Sequence, residues 1–180
     1  DVQSILLNDE SFDELLKELQ PQVVLFDRFI MEEQFGWRVS EVLPETIKIL
    51  DTEDLHFLRR DRQSALKAKE KFSAEHLYSK DAKRELASIL RCDLSLIISE
   101  KEMQILEEQF KIPQSLLLYF PILADSINKA YPSYTERQHY ITVGNFNHAP
   151  NVYAVKYLKQ DIWTQIRKEI PDSELHVYGA

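Results

Sequence analysis

The densest run of chemically capable side chains is Asp51-Thr52-Glu53-Asp54-Leu55-His56-Phe57-Leu58-Arg59-Arg60-Asp61-Arg62. Carboxylates at Asp51, Glu53 and Asp54 can orient a hydroxyl or accept its proton, and His56 can exchange a proton near neutral pH. Arg59, Arg60 and Arg62 offer forked hydrogen bonds to phosphate oxygens. The same residues also fit a structural role: Asp51 or Thr52 capping a helix, acids favoured at its positive end, and arginines on a solvated face. A second acidic exit, Asp27-Arg28-Phe29, leads into Glu32-Glu33-Gln34-Phe35-Gly36-Trp37-Arg38. Carboxylates beside aromatic rings can line a sugar pocket, although capping with Trp37 in the core is the plainer expectation. A third candidate is the turn Gly144-Asn145-Phe146-Asn147-His148-Ala149-Pro150-Asn151, where free amides at a helix start can receive an anion.

These loops need elements to hold them, and the pattern of the chain supplies helices and strands in alternation. Val23–Phe26, Ile47–Leu50, Leu94–Ile98 and Leu116–Phe120 are short apolar runs suited to buried parallel strands. Between them, Phe12, Leu15, Leu16 and Leu19 fall at helical spacing, as do Phe35, Val39, Val42 and Leu43, and later Met103, Leu106 and Phe110. Charged helical stretches are expected over about 54–71 and 81–90. Ser11 with Glu14, and Ser99 with Glu102, have capping-box spacing. The order predicts an α/β fold: a Rossmann-like parallel sheet covered on both faces over residues 1–123. Periodicity fades over 124–138, which reads as a linker. It returns at 139–180 as one strand, a helix over about 151–170 and a second strand at Leu175–Tyr178, the first βαβ unit of a second Rossmann-like domain. One such unit cannot cover both faces of its strands, so further chain is expected on either side of this segment.

Composition removes several alternatives. Lys plus Arg number 22 against 30 Asp plus Glu, so a global basic surface for nucleic acid is not expected. No apolar run approaches the ~18 residues of a membrane span. Three glycines, Gly36, Gly144 and Gly179, are too few and too scattered for a phosphate-binding P-loop or a dinucleotide turn. Cys92 stands alone, which excludes an internal disulfide, and a buried apolar role is expected for it. His76, His139, His148 and His176 show no HExxH or paired-ligand spacing, so neither a catalytic metal nor a cofactor is expected.

Three segments carry a resemblance. ITVGNFNHAPNVYAVKYLKQDIWTQIRKEIPDSELHVYGA is similar to the opening of the C-terminal domain of group 1 (family 4) glycosyltransferases: strand-Gly, polar turn, Asn before an apolar helix, Pro-Asp turn, strand ending in Gly. ELASILRCDLSLIISEKEMQIL resembles the last strand and helix of the family's N-terminal domain, and ILDTEDLHFLRR its acceptor-side strand and exit loop. The resemblance runs from about Pro21 to Ala180. It implies two Rossmann-like domains (the GT-B arrangement) and transfer of a sugar from a nucleotide-diphosphate donor, usually retaining and without a metal. By position it implies acceptor-side roles for Glu53 and Asp54, which with His56, from its own chemistry, are the catalytic candidates. It implies a donor-side role for Gly144, and the residue reading above adds Asp27, Asp51, Arg59, Asn145, Asn147 and Asn151 as candidate substrate contacts. The partners implied are a nucleotide-diphosphate sugar and a glycan or lipid-linked acceptor, in the cytoplasm or at a membrane surface. Where the family usually has a basic residue soon after the turn glycine, this chain has Asn147-His148-Ala149-Pro150. The family's paired glutamates and N-terminal glycine-rich loop have no counterpart in the sequence, which is expected to represent the middle of such an enzyme. A non-catalytic Rossmann-like binding module is the alternative.

Overall fold

The computed structural model describes residues 2–123 and 131–179. The chain forms two compact units, Asp1–Ala124 and Asp125–Ala180. The expected linker lies partly on residues 124–130, outside the described residues; the remainder holds a single short turn, Tyr134–Glu136.

In the first unit, α1 (Ser11–Leu19) precedes β1 (Val23–Asp27), α2 (Arg28–Val42), β2 (Ile47–Asp51), α3 (His56–Ala68), α4 (Lys80–Arg91), β3 (Leu94–Ile97), α5 (Glu100–Glu108) and β4 (Leu117–Tyr119). The apolar runs become the four strands, all parallel, in the order β1-β2-β3-β4. The α/β, Rossmann-like class expected from the sequence is the class observed. One feature of the sheet differs. The strand order never reverses, so right-handed crossovers carry every connecting helix to the same face. Phe26, Leu50, Ile97 and Leu117 are buried against those helices, while Val23, Leu25, Ile47 and Leu118 on the other face stay exposed. The expectation of cover on both faces is therefore corrected for the described residues. With no reversal, these strands also form no switch-point crevice of the doubly wound kind.

The core centres on Val39, Leu50, Leu55, Phe57, Leu58, Ile89, Ile97 and Leu106, all essentially inaccessible. Each such side chain contributes roughly 1.5–3 kcal/mol through removal from water. Phe12 of α1 meets Phe35 of α2 edge to face at 4.9 Å, which seats α1 on the helical layer. Cys92 is buried, as expected, and burial pushes its thiol up to about 12. Trp37 departs from expectation. It is half exposed, with the Arg38 guanidinium 4.6 Å from its ring, because the buried stripe of α2 runs through Phe29, Glu32, Phe35, Gly36 and Val39.

Glu32 enters that stripe by pairing with Arg91 of α4, Nε donating to Oε1 at 2.9 Å. Gly36 makes room for it, since a Cβ there would stand 2.6 Å from the same oxygen. Glu33 pairs with Arg84, again fastening α2 to α4. The two carboxylates thus lock helices together, while the Trp37 ring is half exposed beside the Arg38 guanidinium.

The second unit holds β5 (Tyr140–Val143), α6 (Ala149–Tyr157), a π turn (Leu158–Ile162), α7 (Trp163–Glu169) and β6 (Leu175–Tyr178). Its two strands pair in parallel, making one βαβ unit. Tyr140 packs edge to face on Trp163 at 5.5 Å, joining sheet to helix. No helix among the described residues is long and apolar enough to cross a membrane.

Candidate functional site

The acidic exits of β1 and β2 lie side by side, because the register places Asp27 next to Asp51. Phe26 and Leu50 point into the helical layer, so alternation sends Asp27 and Asp51 toward the opposite face at the carboxyl edge of the sheet. Each strand then leaves through a residue with left-handed backbone: Arg28 (φ 70) after β1 and Glu53 (φ 57) after β2. Such conformations cost about 1–3 kcal/mol for residues with a Cβ and cluster where structure serves a ligand. Local bonds compensate. Asp51 Oδ1 accepts the Glu53 N–H at 3.1 Å, and the Thr52 hydroxyl donates to the Leu96 carbonyl at 2.8 Å. Arg28 joins the two exits, with both Asp27 oxygens at 3.1 Å and Glu53 Oε2 at 3.5 Å.

Beyond these loops α3 begins, and its start is held differently from the sequence expectation. Neither Asp51 nor Thr52 caps it; the N-cap is Leu55, whose side chain has no acceptor. The free amides instead bond to carboxylates from distant elements. Glu85 of α4, fully buried, accepts from His56 N–H at 3.1 Å and from Phe57 N–H at 2.9 Å. Glu102 of α5 accepts from Leu55 N–H at 3.3 Å, and its other oxygen, Oε2, is buried without a partner. Burial pushes Glu102 upward from the ordinary glutamate range, against the pull of that amide.

His56 is buried. Its Nδ1 lies 3.0 Å from the Asp54 carbonyl, 3.3 Å from Asp54 Oδ1 and 3.7 Å from Glu85 Oε1. Three acceptors around Nδ1 fix a proton there. Interaction with Glu85, then with Asp54, raises the imidazole above its ordinary value although burial opposes it. Asp54 is in turn bridged to Arg59 at 3.1 Å. His56 and Arg59 therefore hold the Asp54 carboxylate from two sides. Arg60 is engaged with Asp81 at 2.6 Å and Arg62 lies over the Phe72 ring, so these two arginines serve the packing of α3.

In the second unit, the turn between β5 and α6 is built by its own amides. Asn145 Oδ1 accepts the Asn147 N–H at 2.9 Å, and Asn151 Nδ2 donates to the Asn145 carbonyl at 2.9 Å. Pro150 occupies the first turn of α6, where a missing N–H costs nothing. Gly144 has room for a methyl group, its Cβ position meeting nothing closer than 3.5 Å. Gly179 (φ 151) is the constrained glycine: a Cβ there would stand 1.8 Å from the Gly144 carbonyl oxygen. A groove of about 420 Å³ lies against the turn, lined by Phe146, Asn147, Ala149, Val152, Tyr153 and Lys156.

The structure brings together Asp27 and Glu53 through Arg28, sets Asp51 beside them through the strand register and its bond to the Glu53 N–H, and joins Asp54, His56 and Arg59 through direct pairs. Gly144, Asn145, Asn147 and Asn151 gather in the turn of the second unit. Glu85 and Lys156 were not singled out by sequence. The signal for Glu85 was a charge within the buried stripe Ala82, Glu85, Ser88 and Ile89 of α4. For Lys156 it was the spacing that aligns it with Ala149, Val152 and Tyr153 on one face of α6. Neither models of known protein families nor characterised proteins match this chain.

Proposed function

We propose that this chain is part of a glycosyltransferase that passes a sugar from a nucleotide-diphosphate donor to a hydroxyl-bearing acceptor. The second unit holds the donor and the first contacts the acceptor. The observation that carries this is the groove at the Gly144 turn, which combines Phe146 and Tyr153, the start of α6 and the Lys156 cation. Aromatic faces suit a base or sugar ring, while the Ala149 N–H at the positive end of α6 and the Lys156 ammonium suit a diphosphate. Lys156 supplies the cation that the family pattern has nearer to the turn glycine. The acceptor hydroxyl oxygen bonds to the sugar carbon as the bond from that carbon to the phosphate oxygen breaks, the hydroxyl proton passes to the leaving diphosphate, and the charge gathering there is stabilised by Lys156 and the positive end of α6. Asp27, Asp51, Glu53 and Asp54 accept hydrogen bonds from acceptor hydroxyls, with Arg28, Arg59 and His56 positioning them. Retention and independence of a metal follow from the family resemblance, as does a cytoplasmic reaction that meets a membrane when the acceptor is lipid-linked.

A second function, a binding module without transfer chemistry, draws on the burial of His56 and the internal pairing of Asp27, Glu53 and Asp54. Calorimetric titration with uridine, guanosine and adenosine diphosphate sugars separates the two. The transferase account expects saturable binding of at least one donor, weakened tenfold or more by Lys156→Ala. Failure of every donor to bind at millimolar concentration supports the module.

A further inference from the structure

β5 and β6 pair in register, with Tyr140 beside Leu175 and Ile141 beside His176. One residue earlier the ladder sets His139 beside Glu174, where the Tyr140 N–H donates to the Glu174 carbonyl at 3.0 Å. Side chains alternate between faces with a period of two, so His139, Glu174 and His176 share one face. Tyr140, packed on Trp163, takes the other. The imidazole centroids of His139 and His176 are 5.6 Å apart. Widely separated in sequence, these residues become diagonal and lateral neighbours through strand pairing alone.

We propose that His139, Glu174 and His176 bind a divalent transition-metal ion of the zinc class. One donor atom from each lies within 4.8 Å of the other two. Zinc bonds nitrogen and oxygen at about 2.0–2.2 Å, which places neighbouring donors of a tetrahedral site about 3.4 Å apart. His176 Nε2 and Glu174 Oε2 already stand 3.2 Å apart. Two imidazoles with one carboxylate favour zinc, cobalt, nickel or copper over magnesium and calcium, which prefer oxygen donors throughout. Three protein ligands leave coordination open to water or an outside donor. The Glu174 N–H donates to His139 Nδ1 at 3.3 Å, which leaves the other ring nitrogen, Nε2, without a hydrogen bond among the described residues.

The cluster stands where the strands begin, at the end of the sheet opposite the Gly144 turn, so the ion is a clip on the fold of the second unit and takes no part in donor binding. The test is calorimetric titration of the untagged 180-residue chain with zinc chloride, magnesium chloride as control, and cobalt absorption as a report on coordination. One zinc per chain is expected, with affinity reduced tenfold or more in both His139→Ala and His176→Ala and unchanged in His76→Ala. Circular dichroism of each variant verifies its fold, and Glu174→Gln, nearly isosteric, provides a substitution with minimal effect on packing. Absence of saturable zinc binding, or full affinity in either His139→Ala or His176→Ala, overturns the proposal.

Discussion

His56 shows how one buried group can serve both fold and site. Its raised pKa comes from Glu85 and Asp54, which stabilise the imidazolium in the folded state. A folded value above the ordinary 6.5 means that the stabilisation is complete below 6.5 and disappears as pH rises through the folded value. The urea midpoint of the wild type should therefore fall as pH rises above 6.5, and that part of the slope should be absent in His56→Gln. Glu102, also raised, acts with the same sign, which is why comparison with His56→Gln is needed to isolate the histidine. The two glycines near the turn between β5 and α6 give a sharper contrast. Gly179→Ala meets a carbonyl oxygen and should cost at least about 2 kcal/mol in chemical denaturation, whereas Gly144→Ala should stay within about 0.5 kcal/mol of the wild type. The sequence drew notice to Gly144 through its strand-Gly pattern. It concealed that Gly179 bears the steric demand, because that demand arises from two chain segments meeting.

At the scale of elements, the strands were readable because each is a run of apolar residues ended by an acid, a turn or a proline. The helices were readable because their apolar residues recur at helical spacing. The way helices begin was not. Ser11 and Ser99 stand at cap-like spacing, yet neither hydroxyl bonds to a free amide; Ser11 N–H instead donates to Asp9, and Glu102 turns away to Leu55. The true acceptors for α3 come from 28 to 47 residues away, a distance no local pattern spans. Glu85→Ala should destabilise the first unit by about 2–4 kcal/mol, since two buried amides lose their acceptor and His56 its carboxylate. Glu85→Gln, keeping one acceptor oxygen, should lose less. Ser99→Ala should change stability by no more than about 0.5 kcal/mol. Urea denaturation measures all three.

Over the whole chain, burial is unevenly distributed. Every residue of the buried hydrophobic core belongs to the first unit; among the described residues of the second, only Ser173 is buried. Hydrophobic stabilisation follows buried area, so the two units should open with different free energies. Hydrogen exchange should show amides of β2 and β3 protected at least a hundredfold more than those of β5 and β6. Equal protection would contradict this division. The sequence anticipated the α/β class but not the one-sided sheet, because face assignment depends on strand order, and strand order is set by long-range pairing rather than by the period of any single strand.

The claim on which the functional account rests is that the Gly144 turn and Lys156 receive a nucleotide diphosphate. Amide chemical-shift mapping with the best-binding nucleotide sugar tests it most directly. The account predicts saturable shifts concentrated between Gly144 and Lys156, with the half-saturating donor concentration raised tenfold or more by Lys156→Ala. Shifts confined to the first unit, or none at saturating donor, would contradict it.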